Sequence, residues 1–158
     1  MSQQKATFAA GCFWGVESRF RVVPGVLDAA VGYMGGSTSA PTYQQVCSGD
    51  TGHAEVVQLE FDPSQVSYEQ LLGVFFDLHN PTTRNRQGPD FGSQYRSVVF
   101  WHDDAQREAA ERKIREVDAS GKWPDAVVTE VAEADTFWRA EEYHQRYLEK
   151  SGAGPCRI

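Results

Sequence analysis

The sequence predicts a two-layer α+β (α/β) sandwich built on a mixed, mostly antiparallel sheet, from three observations. Segments of apolar period two alternate with segments of helical period along the 158 residues. Turns rich in glycine and proline separate them. The link between the second and third strand segments is too short for a helical crossover, which argues against a parallel doubly wound sheet.

The first strand is Ala6–Ala10, followed by Gly11-Cys12 and a helical pattern from Val16 onward. Pro24-Gly25 reads as a turn. Over Val26 to Tyr33, Leu27, Ala29, Val31 and Tyr33 share one parity and predict a strand. Gly35 to Ser39 is a loop, the stretch Tyr43 to Ser48 is ambiguous, and 49–52 is a turn. His53 to Phe61 alternates as a strand that Asp62-Pro63 ends. Ser67 is placed to cap a helix over Tyr68–Leu78, whose Leu71, Leu72, Phe75 and Phe76 form an apolar stripe. Asn80-Pro81 stops it. Residues 80–94 show no period, and a connection of that length in a compact domain points to function or disorder. A strand follows at Tyr95–Trp101. Asp103 and Gln106 fit a capping box for a helix that runs to about Ala119 and stops at Gly121. Val127–Val131 reads as a strand and Phe137–Glu149 as an aromatic-rich helix. The strand and helix order is that expected of a ferredoxin-like plait core with long irregular loops. One domain spans residues 1–158, with 151–158 a flexible C-terminal tail that carries Cys156.

The stretch Gly11-Cys12-Phe13-Trp14-Gly15 sets a cysteine where a strand gives way to a helix. Unpaired amides and the positive end of the helix dipole favour a thiolate there, and the thiolate is the nucleophilic form. The alternative is a small buried hydrophobe. Glu55 has the parity of Val57, Leu59 and Phe61, so a period of two turns it toward the apolar side. It either escapes to water at the strand's rim or sits in a pocket with its charge suppressed.

Composition excludes several classes. With 15 Lys and Arg against 22 Asp and Glu, the net charge is −7, which argues against nucleic-acid binding. No apolar run approaches the roughly 20 residues of a membrane helix. The N-terminus lacks the apolar core of a signal peptide. Three cysteines without tight spacing do not make a secreted disulfide framework. A cytoplasmic protein without a membrane or nucleic-acid partner, working as a monomer, is expected.

Five segments taken together carry a resemblance. They are Gly11-Cys12-Phe13-Trp14-Gly15, Gly32-Tyr33-Met34-Gly35-Gly36, Tyr43 through Ser48-Gly49-Asp50-Thr51-Gly52-His53-Ala54-Glu55, Gln87 through Ser97, and Phe137-Trp138-Arg139-Ala140-Glu141 with Tyr143-His144-Gln145. In this order, from Phe8 to about Leu148, the chain resembles the A-type peptide methionine sulfoxide reductases.

The resemblance implies a catalytic domain that reduces methionine-S-sulfoxide, free or in oxidised proteins and peptides, to methionine. Such enzymes act on one sulfoxide epimer. Cys12 would attack the sulfoxide sulfur, and a neutral Glu55 would protonate the oxygen. Tyr43 and Tyr95 would hydrogen-bond that oxygen. Asp90 would orient a water or a substrate amide, although a loop aspartate serving only as a turn residue has the same look. Phe13 and Trp14 would cradle the S-methyl group, and core packing explains them equally well. The product sulfenic acid on Cys12 would condense with a resolving thiol. Cys156 is the candidate, since six extended tail residues span up to roughly 20 Å. Cys47 competes for this role, but is expected to be a buried structural thiol. Thioredoxin or another dithiol would be the reductant, with no prosthetic cofactor and no metal.

Two other readings stay open from the residues. A cysteine hydrolase would pair Cys12 with His53 or His144 as base. A metal module would use Cys12, Cys47, Cys156 and histidines, though no Cys-x-x-Cys or His-x-x-x-His pair is present.

Overall fold

A computed structural model describes residues 4–49, 51–88 and 90–147. The elements in chain order are β1 (Gln4–Ala10), α1 (Phe13–Arg21), β2 (Val26–Met34), α2 (Tyr43–Cys47), β3 (Ala54–Phe61), α3 (Tyr68–Leu78), β4 (Arg86–Gln87), β5 (Asp90–Phe91), β6 (Ser97–Trp101), α4 (Asp104–Ser120), β7 (Glu130–Glu133) and β8 (Trp138–Arg139). Single 3₁₀ turns lie at Ser93–Tyr95 and Glu142–His144.

Six strands form one sheet in the order β7-β6-β1-β3-β2-β8. All neighbours are antiparallel except β6 and β7. The mixed, mostly antiparallel sheet is therefore as expected. The central strands β1, β3 and β2 carry apolar residues on both faces because both faces are covered. Phe8, Val31, Val57, Leu59 and Val99 pack on the face that carries α1 and α3. Ala9, Met34, Ala54, Val56, Val98 and Phe100 face the other way, against Ala132, Ala134 and Phe137. The ring of Phe8 joins strand to helices: it stacks on Phe20 of α1 at 5.2 Å and on Phe75 of α3 at 5.1 Å. Burying one such side chain is worth about 1.5–3 kcal/mol.

The caps follow the side-chain chemistry. Ser67 Oγ accepts from the Gln70 amide at 3.0 Å, and Gln70 Oε1 accepts from the Ser67 amide at 2.8 Å. Thr42 and Gln45 form the same reciprocal pair, which turns the ambiguous stretch after Thr42 into a helix of five residues. At α4 only half the expected box forms. Asp103 accepts from the Gln106 amide, but Gln106 Oε1 accepts from His102 and its Nε2 donates to Lys5. Gly121, at φ 74°, closes the helix.

Three expected elements differ. Tyr95 ends a 3₁₀ turn, and the strand starts at Ser97. The strand expected at Val127–Val131 forms its ladder over Glu130–Glu133, because the amide of Val128 is spent on the carbonyl of Pro81 at 2.8 Å. The aromatic run from Phe137 is not a helix. Trp138 and Arg139 pair with the open edge of β2, and the Ala140 amide donates to Val31 O. The Gln145 side chain accepts from the Val31 amide and donates to the carbonyls of Val31 and Ala140. An unpaired strand edge offers an extended segment hydrogen bonds that outweigh a helical period. The approach is close: a Cβ on Gly32 would lie 2.4 Å from the Trp138 carbonyl oxygen. The last residues of the expected helix and the whole tail lie outside the described residues.

Candidate active site

The nucleophile candidate stands where β1 ends. Gly11 adopts φ 98°, and a Cβ there would meet Gln87 Cγ at 2.8 Å. Glycine is needed for both reasons, and it sets Cys12 as the N-cap of α1. Cys12 is half-buried. The thiolate expected at this helix end does not form in the resting protein. Burial, then the charge of Glu55 and that of Asp90, push the Cys12 thiol up to about 12. The amides of Trp14 and Gly15 pull the other way, but none completes a hydrogen bond to the sulfur. Desolvation outweighs a helix dipole here.

Glu55 is buried at 1% exposure, so it does not sit at a wet rim. It lies opposite Tyr33 on the helix-bearing face of the β2–β3 ladder. The Phe13 amide donates to Glu55 Oε1 at 3.2 Å. Glu55 Oε2 is buried and has no partner among the described residues. Burial pushes the carboxyl up to about 8, against the Phe13 amide and helped by Asp90. A carboxylic acid that keeps its proton at neutral pH is thus fastened to the residue after Cys12.

Tyr43 opens α2, and Tyr95 ends the turn before β6. Burial raises both hydroxyls, and the charge of Glu55 adds to each. The Cys47 thiol is pushed up first by burial, against the Tyr43 and Tyr95 hydroxyls beside it. Cys47 is exposed, which corrects the buried structural thiol expected for it. It is the last residue of α2, and the residue this helix buries is its neighbour Val46. Asp90 is half-buried on β5, and its charge is felt by Cys12, Glu55 and Tyr95. Phe13 is buried, 5.8 Å from the Tyr33 ring and 6.2 Å from the Tyr43 ring. Trp14 is half-buried, stacks on Tyr147 at 3.9 Å and donates to His144 Nδ1 at 3.0 Å. Cys156 lies outside the described residues.

Three supporting residues carried no signal of their role in the sequence. Gln87 pairs both ways with the backbone of Asn80, at 2.9 and 2.8 Å, and holds the hairpin that carries Asp90 against Gly11. Arg96 binds the carbonyls of Ser93 and Gly52, and so ties the Tyr95 turn to the loop before β3. Glu141 accepts from the Tyr43 amide and the Tyr33 hydroxyl. The Glu141 contacts and the bond from Arg96 to Gly52 join segments 44 or more residues apart in the chain.

The hydrolase alternative loses its base. His53 Nδ1 accepts from the Gly36 amide at 3.0 Å, and Nε2 donates to Thr38 O at 2.7 Å. His144 receives Trp14, and no imidazole bonds the Cys12 sulfur among the described residues. Among those residues no group of three or more His, Cys, Asp or Glu is placed to hold a metal ion, and no helix is long and apolar enough to cross a membrane.

Comparison with known proteins agrees with this geometry. The family profile described as peptide methionine sulfoxide reductase matches residues 4–158. The peptide methionine sulfoxide reductase MsrA of Methanoculleus marisnigri is 58% identical over 156 residues, covering 99% of this chain and 95% of its own. That of Geobacter sulfurreducens is 56% identical over 156 residues, covering 99% and 96%. The crystal structure of reduced Mxr1 from Saccharomyces cerevisiae superposes with a TM-score of 0.91 at 38% identity, covering 98% of this chain and 89% of that one. Mxr1 in complex with Trx2 superposes with a TM-score of 0.65 at 26% identity, covering 92% and 84%.

Proposed function

We propose a mechanism on the premise that the chain belongs to the peptide methionine sulfoxide reductase family. The protein is a thiol-dependent oxidoreductase that returns methionine-S-sulfoxide to methionine and is recycled by thioredoxin. The observation that supports the mechanism best is Glu55: buried, pushed up to about 8, tied to the residue beside Cys12, and with Oε2 unpartnered.

At neutral pH both Cys12 and Glu55 hold their protons. The Cys12 sulfur attacks the sulfoxide sulfur while Glu55 Oε2 gives its proton to the sulfoxide oxygen. The Tyr43 and Tyr95 hydroxyls hydrogen-bond that oxygen as charge grows on it. The S–O bond of the substrate breaks, two electrons pass to its sulfur, and the oxygen ends on Cys12. The thiol proton replaces the one lent by Glu55. A thiol and a sulfoxide thus become a sulfenic acid and a thioether. Asp90 orients a water or substrate amide, and Phe13 and Trp14 hold the S-methyl group. Cys156 then attacks the sulfenic sulfur, giving a disulfide and water, and the dithiol of thioredoxin reduces that disulfide.

A second reading of the resolving step assigns it to Cys47, because this thiol is exposed and lies beside Tyr43 and Tyr95. We take free and protein-bound sulfoxides as substrates, without a prosthetic group. We also take residues 1–158 as one catalytic domain, a cytoplasmic monomer whose net charge of −7 disfavours nucleic acid. The central strand order β6-β1-β3-β2, with α1 and α3 on one face, supports a ferredoxin-like plait core.

Thiol titration around one turnover without reductant tests the scheme. The wild type is expected to lose two thiols per methionine formed. Cys156→Ser is expected to lose only Cys12, as a trappable sulfenic acid. If Cys156→Ser still loses two thiols, Cys47 resolves. If no methionine forms, the mechanism is wrong.

A further inference from the structure

The carboxylate of Glu141 joins two elements that flank the reacting groups. Its Oε2 accepts from the Tyr43 amide at 2.9 Å, and its Oε1 accepts from the Tyr33 hydroxyl at 2.8 Å. Tyr43 is the first residue of α2, so its amide is one of those that a helix leaves unpaired. Thr42 satisfies the Gln45 amide, and Glu141 satisfies Tyr43. A helix of five residues has no stability of its own, and its placement depends on such anchors. Tyr33 is the opposite anchor. It is fully buried in β2, packs on Phe13, and faces Glu55 across the ladder. Burial works against charge on Glu141, but the Tyr43 amide and Tyr33 hydroxyl more than offset it and keep the carboxyl below its ordinary range.

We infer that Glu141 is a positioning residue for the Tyr43 hydroxyl: by bridging α2 to Tyr33 it fixes that hydroxyl relative to Glu55 and Cys12. The inference rests on the reading of Tyr43 as a donor to the sulfoxide oxygen. Without the bridge, α2 keeps its Thr42 cap, its apolar contacts and one long hydrogen bond from Gln94 to the Cys47 carbonyl at its far end, and Tyr43 drifts from the oxygen it must reach. Glu141 itself touches neither substrate nor sulfur.

A double-mutant cycle tests this. The readout is the single-turnover rate of methionine formation at saturating methionine-S-sulfoxide without reductant, with KM and the thermal midpoint measured alongside. Tyr43→Phe is expected to slow the rate by roughly 10- to 100-fold. Glu141→Ala is expected to slow it by about tenfold, the cost of a misplaced donor, with KM little changed. In the Tyr43→Phe background Glu141→Ala is expected to add less than about twofold, since positioning a missing hydroxyl has no value. Glu141→Gln keeps an acceptor for the Tyr43 amide and a donor toward Tyr33, and is expected to recover most of the rate. Should Glu141→Ala fail to fold, Tyr33→Phe removes one anchor alone and is expected to show the same dependence on Tyr43.

Glu141→Ala at the wild-type rate, or at equal cost in both backgrounds, overturns the inference and leaves the role of Tyr43 standing. For the Tyr33→Phe substitute, equal cost in both backgrounds does the same. Tyr43→Phe at full rate overturns the reading of Tyr43 and the inference with it.

Discussion

The amide of Phe13 donates to Oε1 of Glu55 at 3.2 Å. One oxygen of the acid is thereby fixed by the backbone next to the nucleophile, and the other is left to give a proton. A side chain 42 positions further along the chain is registered to the sulfur through a single peptide group.

The first consequence is a pH limb. Glu55 must be protonated to act, and burial holds its carboxyl near pH 8. The single-turnover rate is expected to be flat through neutrality and to fall tenfold per unit above about pH 8. Glu55→Gln is expected to be slower by at least about 100-fold and to lose that limb. A wild-type profile that rises steadily from pH 7 to 9 would count against proton donation from Glu55.

The same shift acts on stability. A carboxyl raised by folding stabilises fully below its unfolded value of about 4.3, and that contribution is lost as pH rises toward the folded value. Between about pH 4.3 and 8 the wild type is expected to lose up to about 1.4 kcal/mol per pH unit relative to Glu55→Gln. Urea unfolding of the two proteins at pH 4.5, 6.5 and 8.5 checks this. A constant difference across the series would mean that Glu55 ionises normally in the fold.

Cys12 is held as a thiol first by burial and then by the charge of Glu55. Alkylation of Cys12 by iodoacetamide, followed in the Cys47→Ser/Cys156→Ser double variant so that Cys12 is the one thiol left, is expected to climb through pH 10 without a plateau. Glu55→Gln is expected to speed it at pH 9–10 and to change it little at pH 6, where Glu55 is already neutral. A plateau near pH 7 would indicate a resting thiolate.

Gly11→Ala places a Cβ at φ 98° and 2.8 Å from Gln87. The backbone strain alone is expected to cost about 1–2 kcal/mol in urea unfolding. The clash also presses on the hairpin of Asp90, so the single-turnover rate is expected to fall by about tenfold or more. A variant of unchanged stability and rate would show that the turn before Cys12 has room to adjust.

Much of this architecture is local and could be read in advance. Period-two runs placed β1, β2 and β3, and a capping residue with a stop signal placed α3. The parity of Glu55 already turned it inward. The Thr42–Gln45 capping box was present in the letters too, but five residues leave no period to confirm a helix. Trp138 and its neighbours went the other way: their spacing favours a helix, and the free edge of β2 made them extended.

What the chain by itself determined are the features set by neighbours in sequence: strand faces, helix caps, the Gly11-Cys12 turn and the set of residue types that marks the family. Tertiary structure alone decided that Cys12 rests as a thiol, that Cys47 is exposed, and that Gln87, Arg96 and Glu141 support the site. Those properties depend on burial and on hydrogen bonds across large separations, 98 residues between Tyr43 and Glu141. Desolvation and long-range pairing exist only once the chain has closed on itself, and no local pattern encodes them.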